Sequence, residues 1–345
     1  MELKEKLELV TRGVKEVVEK KELKKLLKEK ERPVAYLGYA PTGRLHLGHL
    51  FNLSKIADFL DAGFSFKFLV ADLHAYLDDK KSPFELLDKR SKYTKEMIIG
   101  VMKALNVDYE DLEFVRGSDF QLKEDYTLDV LKMAGNVTFS RTKRAASEVV
   151  RFGDHPKLGG FIYPLMQNED VVKLDADVAY GGIDQRGIYM LGREILPEIG
   201  YKKPICVFAP LIPSVSGGKM SASEKKGKID LLDDEKTLTQ KIKGAYCPEG
   251  EIKDNGVLVY AKKVLFPLLK RNDMEFLVKR KEKYGGNVSY NDYKDLEKDF
   301  VKKDLHPQDL KLSFARNLAK VLKPLRNVFE KEKNKKLLKK AYPEE

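Results

Sequence analysis

Two short stretches carry the residue types best suited to phosphate chemistry. The first is His46-Leu47-Gly48-His49 and the second is Lys219-Met220-Ser221-Ala222-Ser223. A lysine and two hydroxyl groups in one loop can follow phosphate oxygens and tighten their contacts as charge develops in a transition state. Histidines at the start of a helix lie beside its free N–H groups, which favour the same anions. Each stretch alone is a weak pattern, but together they predict a phosphate-binding site.

A strand, a turn and a helix are predicted to position the first stretch. Residues 33–39 are apolar and partly aromatic, which is typical of a short buried strand. Pro41 and Gly43 then predict a turn. Apolar residues recur at helical spacing from residue 47 to residue 60, and a glycine follows as a stop signal. The two histidines are therefore expected on the first helical turn, where Gly48 leaves room for a nucleotide against the backbone.

Other interpretations of these residues stay open from the pattern alone. A zinc site needs three or four ligands, whereas the remaining histidines and the two cysteines, Cys206 and Cys247, are scattered along the chain. No protein-bound metal is therefore expected. The histidines could instead be ordinary helix caps, and the second stretch could be a solvated loop of lysine and serine. The occurrence of both stretches in one chain favours phosphate binding.

A third group of polar residues lies on a predicted helix that begins near Phe161, with Pro164 near its first turn. Tyr163, Gln167 and Asp170 fall at positions i, i+4 and i+7, so they share one helix face. Three polar side chains among isoleucine, leucine, methionine and valine are unfavourable unless they meet a ligand or a partner. A structural hydrogen-bond network is the alternative.

A glycine pair follows a later strand, which is predicted over residues 177–180. Gly181-Gly182 stands at its carboxyl end, where small residues let a ligand approach the backbone of a parallel sheet. Asp184 and Gln185 then offer side chains for ribose and amino-group contacts, although a plain glycine turn is the alternative. His74, which follows another predicted strand, is interpreted as lining the same cleft.

Composition narrows the setting in which the chain works. With 345 residues, 42% of them hydrophobic, it can bury one or two sizeable cores. No run approaches the roughly 20 apolar residues of a membrane helix, and the charged N-terminus lacks a signal-peptide core. Two unpatterned cysteines fit a reducing cytoplasm. The net charge of +11 suits a polyanion such as RNA, although solvated lysine-rich helices explain part of it.

The order of predicted elements gives an α/β fold, a Rossmann-like doubly wound parallel sheet followed by an all-α C-terminal domain. The expected regions are an N-terminal helical segment (1–31), the sheet domain (32–213), a loop and linker with the second stretch (214–235), and a helical domain with a basic tail (236–345). Strands are predicted at residues 33–39, 66–70, 113–115, 177–180 and 205–209. A basic insertion at about 117–160 interrupts the alternation.

The two phosphate-binding stretches together resemble the signature motifs of class I aminoacyl-tRNA synthetases. Within that class, the chain from about Glu16 to Arg326 is similar to the tyrosyl-tRNA synthetases of archaea and eukaryotes. The resemblance implies a two-step reaction, in which ATP with Mg²⁺ activates L-tyrosine and the tyrosyl group passes to the terminal adenosine of tRNA(Tyr). One departure is Ala222, since the second motif usually has serine or lysine at this position.

The resemblance also implies roles for the residues described above. Asp170 and Tyr36 would hold the tyrosine hydroxyl, and such a site rejects phenylalanine by about 10⁴–10⁵-fold because its polar groups would stay unpaired. The residues that would bind the amino end of tyrosine are Tyr163, Gln167 and Gln185. Those that would stabilise the phosphates are His46, His49, Lys219, Ser221 and Ser223. Those that would contact the nucleotide are Gly38, Gly48, Asp184 and Met220.

The same resemblance implies contacts with tRNA and with a second subunit. The insertion would form a homodimer interface, and Arg144 and Arg186 would meet the first base pair of the tRNA. Tyr284 would stack on the first anticodon base, and Asp309 would accept hydrogen bonds from it. Solvated arginines, a core tyrosine and an N-cap aspartate are the alternatives. The basic tail at residues 331–340 either adds RNA affinity or is disordered.

Three other functions stay open at this point. A tryptophanyl-tRNA synthetase shares the fold, but Tyr36 and the polar helix face argue against it. A small-molecule nucleotidyltransferase would need neither Tyr284 nor a helical C-terminal domain. A non-catalytic RNA-binding relative is disfavoured by the presence of His49 and Lys219.

Overall fold

The computed structural model describes residues 1–78, 80–150, 152–215 and 228–344. The second predicted phosphate-binding stretch lies outside these residues, so the roles of Lys219, Met220, Ser221 and Ser223 stay predictions. The described residues form one six-stranded sheet, helices on both sides of it, and a mostly helical C-terminal region. The strands of the sheet are β1 (Glu16–Val18), β2 (Val34–Tyr39), β3 (Ser65–Val70), β4 (Leu112–Arg116), β5 (Val178–Gly182) and β6 (Ile205–Ala209).

The strands are arranged in the order β1-β6-β5-β2-β3-β4. Strands β2 to β6 are all parallel, and β2 lies between β3 and β5. The chain thus winds outward from β2 in one direction and from β5 in the other, which is the doubly wound topology predicted from the alternating elements. β6 is buried along its whole length, as expected for a strand covered on both faces.

The strand β1 corrects the prediction for residues 1–31. That segment was expected to be helical throughout, and it does contain α1 (Leu3–Thr11) and α2 (Lys20–Glu29). Between them, Glu16–Val18 pairs antiparallel with β6 at the edge of the sheet. A run of three residues carries too little pattern to predict a strand, because its pairing depends on an edge supplied by a distant part of the chain.

Seven further helices belong to the sheet domain. They are α3 (Leu47–Asp61), α4 (Asp72–Leu77), α5 (Leu87–Ala104), α6 (Glu124–Asn136), α7 (Phe139–Ala146), α8 (Gly159–Lys173) and α9 (Arg186–Ile195). α8 begins two residues earlier than predicted, so Pro164 is the sixth residue of the helix and lies in its second turn. One proline removes a single backbone hydrogen bond. The helix continues through it, and the side-chain amide of Asn168 donates to the carbonyl oxygen of Pro164 over 2.8 Å.

The C-terminal region is mostly helical but not all-α. Its helices are α10 (Glu235–Lys243), α11 (Gly256–Tyr260), α12 (Phe266–Arg271), α13 (Tyr293–Val301), α14 (Pro307–Val321), α15 (Lys323–Glu330) and α16 (Glu332–Ala341). Two short strands, β7 (Phe276–Val278) and β8 (Val288–Tyr290), pair antiparallel and correct the prediction. Each strand has only three residues, which is too short to show an alternating pattern beside the helical patterns that flank it.

The basic tail is an ordered helix, which corrects the expectation of possible disorder. α16 ends against α5, where Ala341 and Tyr342 are buried. Arg90 donates from Nε to the carbonyl oxygen of Ala341 over 3.1 Å, and its guanidinium lies 4.7 Å from the centre of the Tyr342 ring. Tyr93 of α5 contacts both Phe329 and Tyr342 through ring edges. These contacts make the C-terminal helices part of the same hydrophobic core as the sheet domain.

Among the described residues, no helix is both long enough and apolar enough to cross a membrane.

Candidate active site

A cleft of about 1380 Å³ opens at the carboxyl ends of β2 and β5, where the winding of the sheet changes direction. Open α/β sheets bind ligands at such a point, because the loops leave adjacent strands in opposite directions. The volume exceeds the roughly 300–1000 Å³ of ordinary ligand pockets, so the cleft can hold two small molecules side by side. The predicted site residues that line it are Tyr36, Gly38, His46, Gly48, His49, Tyr163, Gln167, Asp170, Asp184 and Gln185.

His46 and His49 cap the start of α3 and cap each other. His46 Nδ1 accepts a hydrogen bond from the Gly48 N–H, and His49 Nδ1 accepts one from the His46 N–H, each over 3.1 Å. A Cβ atom at Gly48 would lie 3.0 Å from the His46 ring, so glycine keeps this turn tight. The helix-cap interpretation is therefore right about Nδ1, and it leaves Nε2–H of each neutral ring as the donor for a ligand.

Both histidines are neutral at pH 7. Burial lowers the pKa of His46 to about 4 and lowers that of His49 well below its usual range, and the charge of Lys228 adds to both effects. Sequence analysis missed Lys228, because it is one of several lysines in a polar run. Its amine lies 3.8 Å from where a Cβ of Gly43 would stand. Within the described residues it has no carboxylate at ion-pair distance, so this cation beside the histidines is available to an anion.

The two ends of the described chain that flank residues 216–227 are held against other elements. A Cβ at Gly256, the first residue of α11, would come 2.8 Å from the carbonyl oxygen of Val215. On the other side, the Leu47 N–H donates to the carbonyl oxygen of Ile229 over 2.8 Å. Arg44 and Asp230 form an ion pair at 2.9 Å. Lys228 is thereby fixed next to the start of α3.

The deep end of the cleft is a buried polar cluster. The hydroxyl groups of Tyr36 and Tyr189 lie 2.8 Å apart, and Tyr36 also donates to the carbonyl oxygen of Gln167 over 3.2 Å. Asp170 Oδ1 accepts from Gln121 Nε2 over 2.7 Å and from the Tyr126 hydroxyl over 2.9 Å. The three polar residues of α8 do share one face, and this face forms a wall of the cleft.

Burial raises the pKa of Asp170 to about 7, although hydrogen bonds from Gln121 and Tyr126 oppose the shift. His74 lies behind this carboxyl, with Nε2 3.7 Å from Asp170 Oδ2, and it lines the cleft as predicted. Gln121, Tyr126 and Tyr189 were missed by sequence analysis. They come from three separate elements, and no local spacing connects them with Asp170.

The side of the cleft nearer its mouth holds amide and carboxyl groups. Gln167 Nε2 donates to Gln185 Oε1 over 3.0 Å, and Gln167 Oε1 is buried with no hydrogen-bond partner in the described part of the chain. Burial raises the pKa of Asp184. No group of three or more histidine, cysteine, aspartate or glutamate side chains with metal-binding geometry occurs among the described residues.

The two arginines predicted to contact tRNA lie on neighbouring helices outside the cleft. Arg144 is exposed near the end of α7, and Arg186 begins α9. The two helices approach closely, because Gly187 packs directly on the carbonyl group of Ala145. Arg186 is paired with Glu16 over 2.7 Å. Both arginines are exposed, so the solvated-arginine interpretation stays open for each.

One arginine connects the segments that carry Tyr284 and Asp309. Tyr284 is 61% exposed, so it is not a core tyrosine. Asp309 is the third residue of α14, whose N-cap is His306, so it is not the N-cap aspartate. Arg280 donates to the carbonyl oxygen of Gly286 and to that of Asp304, each over 2.8 Å. It thereby joins the turn that carries Tyr284 to the loop before α14.

Comparison with known proteins places these features in one family. Residues 28–323 match the family model of class I tRNA synthetases (W and Y). The chain is 52% identical over 344 residues to the tyrosine–tRNA ligase of Natronomonas pharaonis, covering 100% of this chain and 99% of that protein. It is 44% identical to the cytoplasmic tyrosine–tRNA ligase of Danio rerio over 99% of this chain and 63% of the relative.

A solved structure shows the same architecture. The tyrosyl-tRNA synthetase of Archaeoglobus fulgidus, crystallised with L-tyrosine, matches with a TM-score of 0.87 at 42% identity. The match covers 95% of this chain and 99% of that one. The doubly wound sheet and the helical C-terminal region are therefore those of the family.

Proposed function

Because the chain belongs to the class I tRNA synthetases (W and Y), we propose that it is a tyrosine–tRNA ligase. It joins L-tyrosine to ATP and then transfers the tyrosyl group to tRNA(Tyr). The observation that carries the choice of amino acid is the buried polar cluster around Asp170 and Tyr36. The relatives at 44–53% identity that bear the name tyrosine–tRNA ligase support the same choice.

The tyrosine hydroxyl binds between Asp170 and Tyr36. The carboxylate accepts a hydrogen bond from the phenolic hydroxyl, and the Tyr36 hydroxyl turns from the carbonyl oxygen of Gln167 to donate to the phenolic oxygen. Phenylalanine offers neither group, and the indole of tryptophan offers a donor but no oxygen acceptor. A buried hydroxyl and carboxylate left without partners make binding of either analogue unfavourable.

The amino end of tyrosine binds toward the mouth of the cleft. Gln167 Oε1, buried and without a partner among the described residues, accepts a hydrogen bond from the ammonium group. Tyr163 and Gln185 line the same wall and complete the contact. This arrangement directs the tyrosine carboxylate toward His46 and His49.

In the first step, a carboxylate oxygen of tyrosine attacks the α-phosphorus of MgATP in line. The new oxygen–phosphorus bond forms as the bond to the bridging oxygen breaks, and its electron pair leaves with pyrophosphate. The Nε2–H groups of His46 and His49 donate to the phosphates as neutral imidazoles. Lys228 supplies a positive charge beside them, and Lys219, Ser221 and Ser223 are proposed to add contacts. Such catalysis is positioning and charge stabilisation, with no covalent protein intermediate.

In the second step, a ribose hydroxyl of the terminal tRNA adenosine attacks the tyrosyl carbonyl carbon. The ester bond to tRNA forms, the bond to the phosphate breaks, and AMP leaves. Arg144 and Arg186 hold the acceptor end, while Tyr284 stacks on the first anticodon base and Asp309 accepts from its edge. Arg280 positions these two residues through backbone contacts.

We further propose that the protein works as a homodimer in the cytoplasm. Leu122, Leu128 and Leu131, at and before α6 in the predicted insertion, are 71%, 51% and 63% exposed. Exposed leucines in one segment favour a protein interface. Light scattering should show a dimer for the parent and a monomer when Leu128 and Leu131 are both changed to lysine.

Charging of tRNA tests the proposed function. Purified protein should transfer labelled tyrosine to tRNA(Tyr) in a reaction that requires ATP and Mg²⁺ and that releases AMP. Tryptophan and tRNA(Trp) serve as the matched pair. If the protein charges tRNA(Trp) with tryptophan faster than it charges tRNA(Tyr) with tyrosine, the proposal is refuted.

A further inference from the structure

A second cavity, of about 560 Å³, lies in the C-terminal region between β7, α14 and α15. The cationic side chains that line it are Lys279, Arg316, Lys320, Lys323 and Arg326. Only two glutamates share the lining, so positive charge is in excess. One of them, Glu235, is paired with Arg316 at 3.4 Å. The lysines and Arg326 are therefore the cations that a bound anion would meet.

Arg326 distinguishes this cavity from a solvated basic surface. Its Nη2 donates to the carbonyl oxygen of Ala319, whereas its Nη1 is buried and has no hydrogen-bond partner in the described ranges. Burial lowers the pKa of this guanidinium, as expected for a cation removed from water without full compensation. A buried donor left unpaired is unfavourable. An acceptor bound in the cavity would satisfy it.

Lys323 adds a further cation at the junction of two helices. It is the first residue of α15, and α14 ends two residues earlier at Val321, with Leu322 between them. The positive end of one helix dipole and the negative end of the other meet there and largely offset each other. An anion bound at this junction would therefore be attracted by the lysine ammonium group itself.

We propose that this cavity binds a backbone phosphate in the anticodon arm of the tRNA, an inference that rests on the function proposed above. α14 connects the cavity to the predicted anticodon site, since Asp309 is its third residue and Lys320 lies about 16 Å further along its axis. Arginine binds phosphate oxygens through a planar fork, and lysine does so as a point charge. A phosphate contact of this kind sets the affinity and register of the RNA without reading its sequence.

The test is a double variant, Lys320→Ala with Lys323→Ala, in the full-length protein. Lys24→Ala with Lys25→Ala is the matched control, because both lysines are exposed on α2, outside the cavity and outside the basic tail. We expect the KM for tRNA(Tyr) in aminoacylation to rise about 10-fold in the cavity variant and less than about twofold in the control. The slope of log affinity against log salt should fall by about 1 per lost phosphate contact.

Tyrosine-dependent ATP–pyrophosphate exchange without tRNA should be unchanged in both variants. If the parent itself shows no such exchange, the proposed function fails, and this result is distinct from failure of the cavity proposal. An unchanged KM for tRNA in the cavity variant, or an equal rise in both variants, would overturn the proposal. A third measurement follows the Tm of the parent and of the cavity variant in inorganic phosphate. If it raises the Tm of the parent but not of the cavity variant, while tRNA affinity stays the same, the site serves a free anion and the assignment to RNA is wrong.

Discussion

The deep end of the cleft and the anticodon site present their functional groups in opposite ways. Asp170 is 1% exposed, and its carboxyl is held by hydrogen bonds from two other side chains. Tyr284 is 61% exposed, and Arg280 fixes the backbone of the turn that carries it. In the cleft, the free-energy cost of removing a carboxyl from water is therefore already present in the unliganded fold. In the anticodon site, the functional groups stay in water until RNA binds.

This difference predicts how each region responds to change. In the cleft, one altered group leaves a buried partner unpaired, so the loss is large and specific to the amino acid. In the RNA-binding region, stacking and charge contacts are exposed and contribute separately, so the losses are graded and depend on salt.

The largest effect is expected for Asp170→Asn. The neutral amide accepts a weaker hydrogen bond from the phenolic hydroxyl than a carboxylate does, so kcat/KM for tyrosine in ATP–pyrophosphate exchange should fall about 10²–10³-fold. Glu169→Gln is the matched control, because Glu169 is equally buried one residue away but does not line the cleft. A comparable loss of kcat/KM in Glu169→Gln would mean that the effect comes from disturbing a buried carboxyl in general and not from losing a contact with tyrosine.

Next in size is Lys228→Ala. Loss of one charge-assisted contact to the phosphates should lower kcat for exchange about 10–100-fold, with little change in the KM for tyrosine. Lys202→Ala, an exposed lysine ahead of β6, should behave like the parent. If kcat stays within about twofold of the parent, Lys228 takes no part in phosphate stabilisation.

The pKa of Asp170 gives a stability prediction. It is about 7 in the folded protein and ordinarily 3.8, so between these values the folded state binds more protons than the unfolded state. The free energy of unfolding therefore decreases as pH rises through this window, and the whole penalty is present above pH 7. Asp170→Asn removes the penalty and should be more stable than the parent by about 1–2 kcal/mol at alkaline pH.

Urea unfolding at acid and alkaline pH measures this difference. The advantage of the asparagine variant should shrink toward zero as the pH falls below the ordinary pKa of the carboxyl. An advantage that is the same at both ends of the range would show that Asp170 does not titrate as its burial implies.

The smallest effect is expected for Arg280→Met, which disconnects the Tyr284 turn from the loop before α14. The KM for tRNA(Tyr) should rise about 5–10-fold, while exchange without tRNA stays unchanged, because the change loosens an exposed site. Lys294→Met on α13 is the control. A loss of exchange activity in the arginine variant would indicate general unfolding in place of a local effect.

Much of the fold could be predicted from the sequence because its signals are local. The five parallel strands are apolar runs bounded by turns, and the predicted limits lie within two residues of the observed ones. The antiparallel strand β1 and the pair β7–β8 escaped prediction, since strands of three residues are specified by their partners. The ordered tail escaped because its contact on α5, between Arg90 and Ala341, spans 251 residues of sequence.

The same distinction between local and long-range signals applies to the residues of the candidate site. Tyr163, Gln167 and Asp170 could be predicted to meet because helical spacing puts them on one face. Gln121, Tyr126 and Tyr189 could not, because only the folded sheet brings α6, α8 and α9 to the same place. Lys228 is one lysine among many until the backbone of its neighbour Ile229 pairs with the start of α3.

The buried polar cluster is central to the proposed function because it selects tyrosine. One measurement tests it, the ratio of kcat/KM values for tyrosine, tryptophan and phenylalanine in ATP–pyrophosphate exchange by the parent protein. We predict a preference for tyrosine over phenylalanine of about 10⁴-fold or more, and no less against tryptophan. A preference below about 10-fold, or faster exchange with tryptophan, would contradict the assignment of Asp170 and Tyr36 to the tyrosine hydroxyl.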